Sequence, residues 1–426
     1  MPQGQSGLRR GTWERSMASA NAPGRHGNGR TQARSGHRRA AIVGAAMVQL
    51  EEHGVEALKL PEIARAVGLK PSSFSYYFPN RDALAAEVYR HVLAGLAEMV
   101  EQAGREPTTG ARLRALFTVA LKHEAAMLAG RTPKQPLIGD IRALRREMRA
   151  PLTDAYLQVN RTIREWFRDE GDSHDDWQSR ISASYVLESL FWLRAWVGEY
   201  SDWEHAALVE EIVRFLENGF LARAAEIPIT GALSGDAAED DDSPREAFLR
   251  AATRLINRYG SRGSSVERVA EELGVTKGSF YHHLEDKDDL VSECFARSHE
   301  QMAEIQRLAD GEEGDAAARL LRAATEAAAV QFAGRFPFLR TSAYIILPPY
   351  EREQSLARAR RITRWYAGQF AAGIAQRTIR PLDPFVASQM LFIALNAASD
   401  LAAILSERQP GDAARDYVAL LTRGLA

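Results

Sequence analysis

Val266 to Leu290 reads VERVAEELGVTKGSFYHHLEDKDDL, and this stretch decides the fold. Val269, Ala270 and Leu273 lie at i, i+1 and i+4, one apolar stripe on a short helix. Gly274 ends that helix where a residue of positive φ is easily accommodated. A second short helix, Thr276 to about His283, turns Phe280 inward and leaves Thr276, Lys277, Ser279, Tyr281 and His282 outward. Two short helices crossing over a tight turn slot the second into a DNA major groove. Base edges there are reached by hydrogen bonds, and phosphates by cations and hydroxyls.

The stretch occurs twice. Leu60 to Leu84, LPEIARAVGLKPSSFSYYFPNRDAL, aligns to it without a gap at an offset of 206. Ala64 falls on Ala270, Gly68 on Gly274, Ser73–Phe74 on Ser279–Phe280, and Asp82 and Leu84 on Asp288 and Leu290. Upstream, Ala45–Ala46 falls on Ala251–Ala252 and Gly54 on Gly260. A repeat of domain size is a duplication and not a solenoid.

Both copies resemble the DNA-binding domain of TetR-family transcriptional regulators. The second carries the pattern in Val269, Ala270, Gly274, Val275, Gly278, Tyr281, His283 and Lys287, with Leu284 for the usual Phe. The first departs at Pro71–Ser72, Ser75 and Tyr77 and returns to the pattern at Phe78 and Arg81. The resemblance implies an all-α chain of two units, each a three-helix helix-turn-helix head on a helical effector-binding and dimerisation body. It implies phosphate contacts at Tyr77 and His283, with Arg81 and Lys287 as further clamps. Lys70, Ser72, Ser73, Ser75 and Tyr76, and Thr276, Lys277, Ser279, Tyr281 and His282, complete the candidate DNA-binding set.

Composition agrees with this reading. The 426 residues allow two domains, and a formal net charge of −2 leaves room for local basic faces but excludes a uniformly basic binder. The single cysteine, Cys294, excludes an intrachain disulfide and a Cys-based zinc cluster. No Walker loop, G-x-S-x-G elbow, paired metal ligands or dinucleotide fingerprint is present, so no enzyme, metal or cofactor is expected. The expected partners are double-stranded operator DNA and a small-molecule effector. No membrane partner is expected, and a cytoplasmic, nucleoid-associated location follows.

In chain order the expected parts are a disordered basic arm (1–36), a first head (37–96) and body (97–226), an acidic linker (227–242), and a second head (243–302) and body (303–426). The arm is either a solvated tail or a strand that tracks phosphates. In the first head, a helix over 38–53 leads to one starting near Leu60–Pro61, and Asn80 and Asp286 read as caps of the fourth helices. Ser264–Ser265 and Glu267 read as a capping box, which the first copy lacks at Leu58–Lys59. Helices are expected at about 110–129, 137–149, 152–169, 175–200 and 203–225, with a break at Pro151. The second body repeats the layout at about 313–334, 349–378, 382–406 and 411–425, with a short piece near 337–346.

The linker is acidic at Asp236, Glu239, Asp240, Asp241 and Asp242. About seventeen extended residues reach roughly 55–60 Å, enough to bring one unit back beside the other. The two units are therefore expected to pair within one chain as a pseudo-dimer. Because KPSSFSYY and TKGSFYHH differ, that pseudo-dimer should read an asymmetric operator. Five of seven tryptophans fall in the first body. Trp166, Trp192 and Trp196 are the candidates for an aromatic effector pocket, with core packing or the helix-bundle interface between the units as the alternative. The rival to a regulator is a helical scaffold with one or both heads inactive for DNA.

Overall fold

The computed structural model describes residues 29–168, 176–225, 227–228, 243–278, 287–334 and 337–425. Among these the chain is helical, and the one extended pairing is an isolated antiparallel bridge between Leu221 and Ile379.

Unit one begins with α1 (Gly29–His53), α2 (Leu60–Ala66) and α3 (Pro71–Phe74). Helix α4 (Arg81–Ala103) joins this head to a body of α5 (Thr109–Leu128), a 3-10 segment (Ile138–Ala143), α6 (Arg146–Arg164), α7 (Asp176–Trp192) and α8 (His205–Asn218). Unit two repeats the order. Its head has α9 (Pro244–Tyr259), a 3-10 turn (Gly260–Ser264) and α10 (Val266–Leu273). Its body has α11 (Lys287–Asp310), α12 (Ala316–Ala333), a 3-10 segment (Thr341–Ile346), α13 (Pro349–Ala375), α14 (Pro384–Leu401) and α15 (Pro410–Arg423). The duplication therefore extends through the bodies, beyond the stretch where sequence identity is visible.

Local chemistry explains the boundaries. Asn80 caps α4 as expected, its side-chain oxygen accepting from the Ala83 N–H at 2.9 Å. The turn after the second head helix is the same in both copies. Gly68 and Gly274 have φ of 68° and 66°, Leu69 N bonds Ala64 O at 2.8 Å, and Val275 N bonds Ala270 O at 3.0 Å. At Lys59, which has no side-chain cap of its own, the backbone N–H is satisfied by Gln49 Oε1 at 3.1 Å. The polar exchange of Leu255 for Gln49 in the first copy thus has a structural use.

Several expectations are corrected. Helix α1 starts at Gly29, so the last part of the expected arm is helical; residues 1–28 lie outside the described residues. Pro151 does not break the chain into two helices, because α6 runs through it. Its missing N–H affects only the Glu147 carbonyl, and both residues are exposed, where water replaces the bond. The true break is at Leu144–Arg145, which are extended. After Trp192 the expected long helix turns into two 3-10 pieces. The capping box does not form. Ser265 is the N-cap of α10 but its hydroxyl donates to Glu267 at 2.8 Å, and Lys277 holds the same carboxylate. Asp286 and most of the linker lie outside the described residues.

The two bodies pack on each other through α7, α8, α14 and α15. Tyr185 of α7 donates to the Met390 carbonyl of α14 at 2.8 Å, and Trp192 Nε1 donates to Gln389 at 3.1 Å. Phe220 stands edge-on to Phe370 with ring centres 5.4 Å apart. The ends of α8 and α15 cross so closely that only glycine fits. A Cβ on Gly219 would lie 2.2 Å from Thr422 O, and one on Gly424 would lie 2.0 Å from Glu217 O. Leu425 N then bonds Leu216 O at 2.7 Å. Helix α14 is apolar and long enough to cross a bilayer, but 78% of its most apolar stretch is buried inside the molecule, as in the core helix of a bundle.

Candidate nucleic-acid interface

Each head is built around a small apolar core. In the first, Ile42, Ala46 and Leu50 of α1 meet Ile63, Ala64, Phe74 and Phe78. In the second, Phe248, Ala252 and Leu255 of α9 meet Val266, Val269 and Ala270. Burying Phe74 turns the rest of α3 outward. Lys70, Ser72, Ser73, Ser75 and Tyr76 are all exposed, Tyr76 at 82%. Tyr77 is half-buried, its ring edge-on to Tyr76, and its carbonyl accepts from Arg39 at 3.0 Å. Arg39 also lies over the Phe78 ring and pairs with Glu87 at 3.2 Å, which fixes the base of the exposed helix.

Arg81 departs from the role that resemblance implied. Its guanidinium bonds the Glu56 carbonyl at 2.6 Å and the Glu56 carboxylate at 3.0 Å, so it braces the head instead of standing open at the surface. In the second copy Thr276 and Lys277 are exposed, and Lys277 pairs with Glu267. Ser279, Tyr281, His282 and His283 lie outside the described residues; Lys287 opens α11.

The heads are joined to one another by charges that the sequence reading missed. Arg262, in the 3-10 turn of head two, reaches Glu56 at 2.6 Å and Asp82 at 3.1 Å, both in head one. Arg145 of the first body holds the other side of Asp82 at 2.8 Å. Burial opposes ionisation of Asp82, but hydrogen bonds from Arg145 and the charge of Arg262 hold its carboxyl below the usual range. Glu56 and Arg262 are separated by the repeat offset of 206, so they are one position of the duplicated head facing itself. Two identical units would place like charges there; this chain places opposite ones.

A second clasp lies in the 3-10 segment of body one. Asp140 accepts from the Val55 N–H of head one at 2.8 Å. Its two carboxylate oxygens crowd the two equivalent turns: a Cβ on Gly54 would lie 3.1 Å from one, and a Cβ on Gly260 would lie 2.9 Å from the other. One side chain thus touches both heads. A lone aspartate in LIGDIRA, between apolar residues, was the available sequence signal.

The same 3-10 segment forms a wall of a cavity of about 670 Å³. The cavity lies between the units, not within the first body, and Trp192, Tyr156 and Glu188 from one side face Arg340, Leu356 and Asp400 from the other. Of the three candidate tryptophans only Trp192 lines it. Trp196 packs against Phe385 beside a small void that Trp192 also borders. Trp166 is a core residue whose carbonyl accepts from Thr109 at 2.6 Å.

Comparison with known proteins agrees with this geometry. The family model for bacterial regulatory proteins of the tetR family matches residues 42–88 and 248–294, one match per head. The HTH-type transcriptional regulator AcrR of Shigella flexneri is 32% identical over 68 residues, 16% of this chain and 32% of that protein. The HTH-type transcriptional repressor AcnR of Corynebacterium diphtheriae is 31% identical over 61 residues, 14% of this chain and 32% of its own length. AcnR of Corynebacterium glutamicum is 29% identical over 73 residues, 17% of this chain and 39% of its own length. These matches span about a third of each relative. The same helix order in both bodies makes the chain a tandem duplication, and each of its two heads is similar to the DNA-binding domain of the tetR family.

Proposed function

We propose that this chain is a sequence-specific DNA-binding transcriptional regulator, a repressor released by a small, largely hydrophobic effector. One observation carries the reading: two family-matched heads, one with its short second helix stripped of core contacts except at Phe74, are tied to each other by Arg262. Heads fixed at one spacing meet two half-sites about one helical turn apart, roughly 34–36 Å. Since KPSSFSYY and TKGSFYHH differ, the operator is asymmetric. Lys70, Ser72, Ser73, Ser75 and Tyr76 in head one, and Thr276, Lys277, Ser279, Tyr281 and His282 in head two, supply base and phosphate contacts. Tyr77, His283 and Lys287 add phosphate contacts.

Release follows from the position of Asp140. The segment that walls the cavity also touches both head turns, so an occupant that moves this wall changes the head spacing. Coupling needs only two arrangements of unequal ligand affinity.

Selection of bound sequences from random DNA with the purified chain tests the proposal. An enriched asymmetric site, bound by one chain with steep salt dependence, is the expected result. A perfect palindrome occupied by two chains overturns the pseudo-dimer reading. Binding with no sequence preference favours the scaffold alternative, which the engagement of Arg81 by Glu56 supports.

A further inference from the structure

The lining of the seam cavity is of two chemical kinds. Leu356, Ile393 and Trp192 give its lining apolar surface, and Arg142, Arg149, Arg180, Arg194, Arg340 and Arg352 bring guanidinium groups to it. Arg142 from unit one and Arg340 from unit two converge on one carboxylate, Asp400, with Arg142 at 3.4 Å. Two half-buried cations therefore pair directly with one carboxylate at the seam. The Nε–H of Arg340 is buried with no hydrogen-bond partner among the described residues. Burial pushes the Glu188 carboxyl up, partly offset by Arg340 and Arg142, and the cavity lining as a whole sets six arginines against three carboxylates, Glu51, Glu188 and Asp400.

We propose that this cavity takes one small amphipathic carboxylate per chain, its acid group set between Arg142 and Arg340 and its apolar part against Trp192 and Leu356. The volume of about 670 Å³ is that of a small-molecule site. Guanidinium forks from opposite units suit a carboxylate, which accepts two parallel bonds. A cationic ligand would instead add charge to a site already in cationic excess.

The stoichiometry follows from the broken repeat. Arg142 is the fifth residue of its 3-10 segment, and the fifth of the matching segment is Ile345. Asp400 is the seventeenth residue of α14, and the seventeenth of α7 is Trp192. The duplication therefore does not generate a second Arg142–Asp400 pair. This inference rests on the effector-responsive reading above, and it adds the ligand class, the place and the number.

The test is calorimetry on the full-length chain, with Trp fluorescence as a second readout. The probes are octanoate, decanoate, benzoate and indole-3-acetate, each beside its matched primary alcohol and its matched amine or quaternary ammonium. At least one carboxylate should bind at one per chain, tenfold or more tighter than its alcohol, and its ammonium counterpart should bind more weakly still. Arg340→Gln should weaken that carboxylate by 10- to 100-fold, and Arg142→Lys by less than Arg142→Gln. Preferential binding of the ammonium, two equivalents per chain, or failure of all four acids overturns the proposal. If Arg340→Gln does not fold, the ranking of the probes on the unaltered chain decides alone. Carboxylate binding without any specific DNA site would leave this inference standing and sink the regulator reading. Specific DNA release by a cation alone would do the reverse.

Discussion

Reversing the charge at Arg262 should part the two heads. Its side chain is 25% exposed and faces Glu56, 31% exposed, and Asp82, 6% exposed. Exposed ion pairs contribute about 0.2–1 kcal/mol, while stripping one partner from a buried pair costs about 3–5 kcal/mol. Asp82 keeps Arg145 and Glu56 keeps Arg81, so Arg262→Gln belongs between these limits, at about 1–2 kcal/mol. Arg262→Glu adds repulsion from two carboxylates. Unit charges about 4 Å apart repel by about 4 kcal/mol at an effective dielectric constant of 20, and rotation of the new side chain toward water relieves part of that. The expected total is about 2–4 kcal/mol.

Urea unfolding of the two variants reads this cost. Spin labels at Ala66→Cys and Glu272→Cys, exposed and equivalent positions of the two heads, read the geometry. The parent should give one narrow distance and Arg262→Glu a broad one, with operator affinity falling by more than the loss of folded protein explains. If Arg262→Glu stays within about 0.5 kcal/mol of the parent and its distance distribution stays narrow, the head clasp carries no energy and the fixed-spacing argument fails.

Other expectations follow from the same contacts. Gly68→Ala meets nothing within 4 Å and suffers only its positive φ of 68°, about 1 kcal/mol, whereas Gly260→Ala also drives a Cβ to 2.9 Å from Asp140 and should cost at least about 1 kcal/mol more by thermal unfolding. Asp82 is held below its ordinary value of 3.8, so its contribution is complete at neutral pH and is lost as the pH falls below that value and through the lowered one. Acid unfolding of Asp82→Asn should lack that component. Tyr185→Phe removes the hydroxyl that bonds the Met390 carbonyl across the seam and should lower stability by about 1 kcal/mol without altering the head distance. Lys70→Ala should weaken operator binding and reduce the slope of log affinity against log salt by about 1.

The duplication and the head geometry were legible because they rest on local chemistry. A glycine at positive φ and an apolar stripe recur at a constant offset, Phe74 turns inward in the first copy, and each needs only a few neighbouring residues to act. The body helices were legible from period alone, but their ends were not. Pro151 looked like a break because its ring forbids an in-helix bond, and the sequence does not say that the affected carbonyl faces water. The place of the cavity was not legible for a related reason. Aromatic content pointed to the first body, yet only Trp192 reaches the space, and the charges that give it character come from both units. Arg142, Arg340 and Asp400 are 60 to 258 residues apart in pairs and share no motif. Arg81 and Arg262 show the same limit, since the family pattern gave Arg81 a phosphate while the fold supplied Glu56.

The seam across α7 and α14 also sets an order of events during synthesis. The first unit is complete as a chain once α8 has been made, but Tyr185, Trp192 and Phe220 have no surface to cover them until α13 and α14 emerge. At about 5–20 residues per second, the interval is on the order of 10–40 s. Through that time a nascent first unit presents an aromatic face to its neighbours on the same messenger. Self-pairing would bring Glu56 against Glu56 where the finished chain has Arg262, so a sister chain would lack the ion pairs that clasp the two heads.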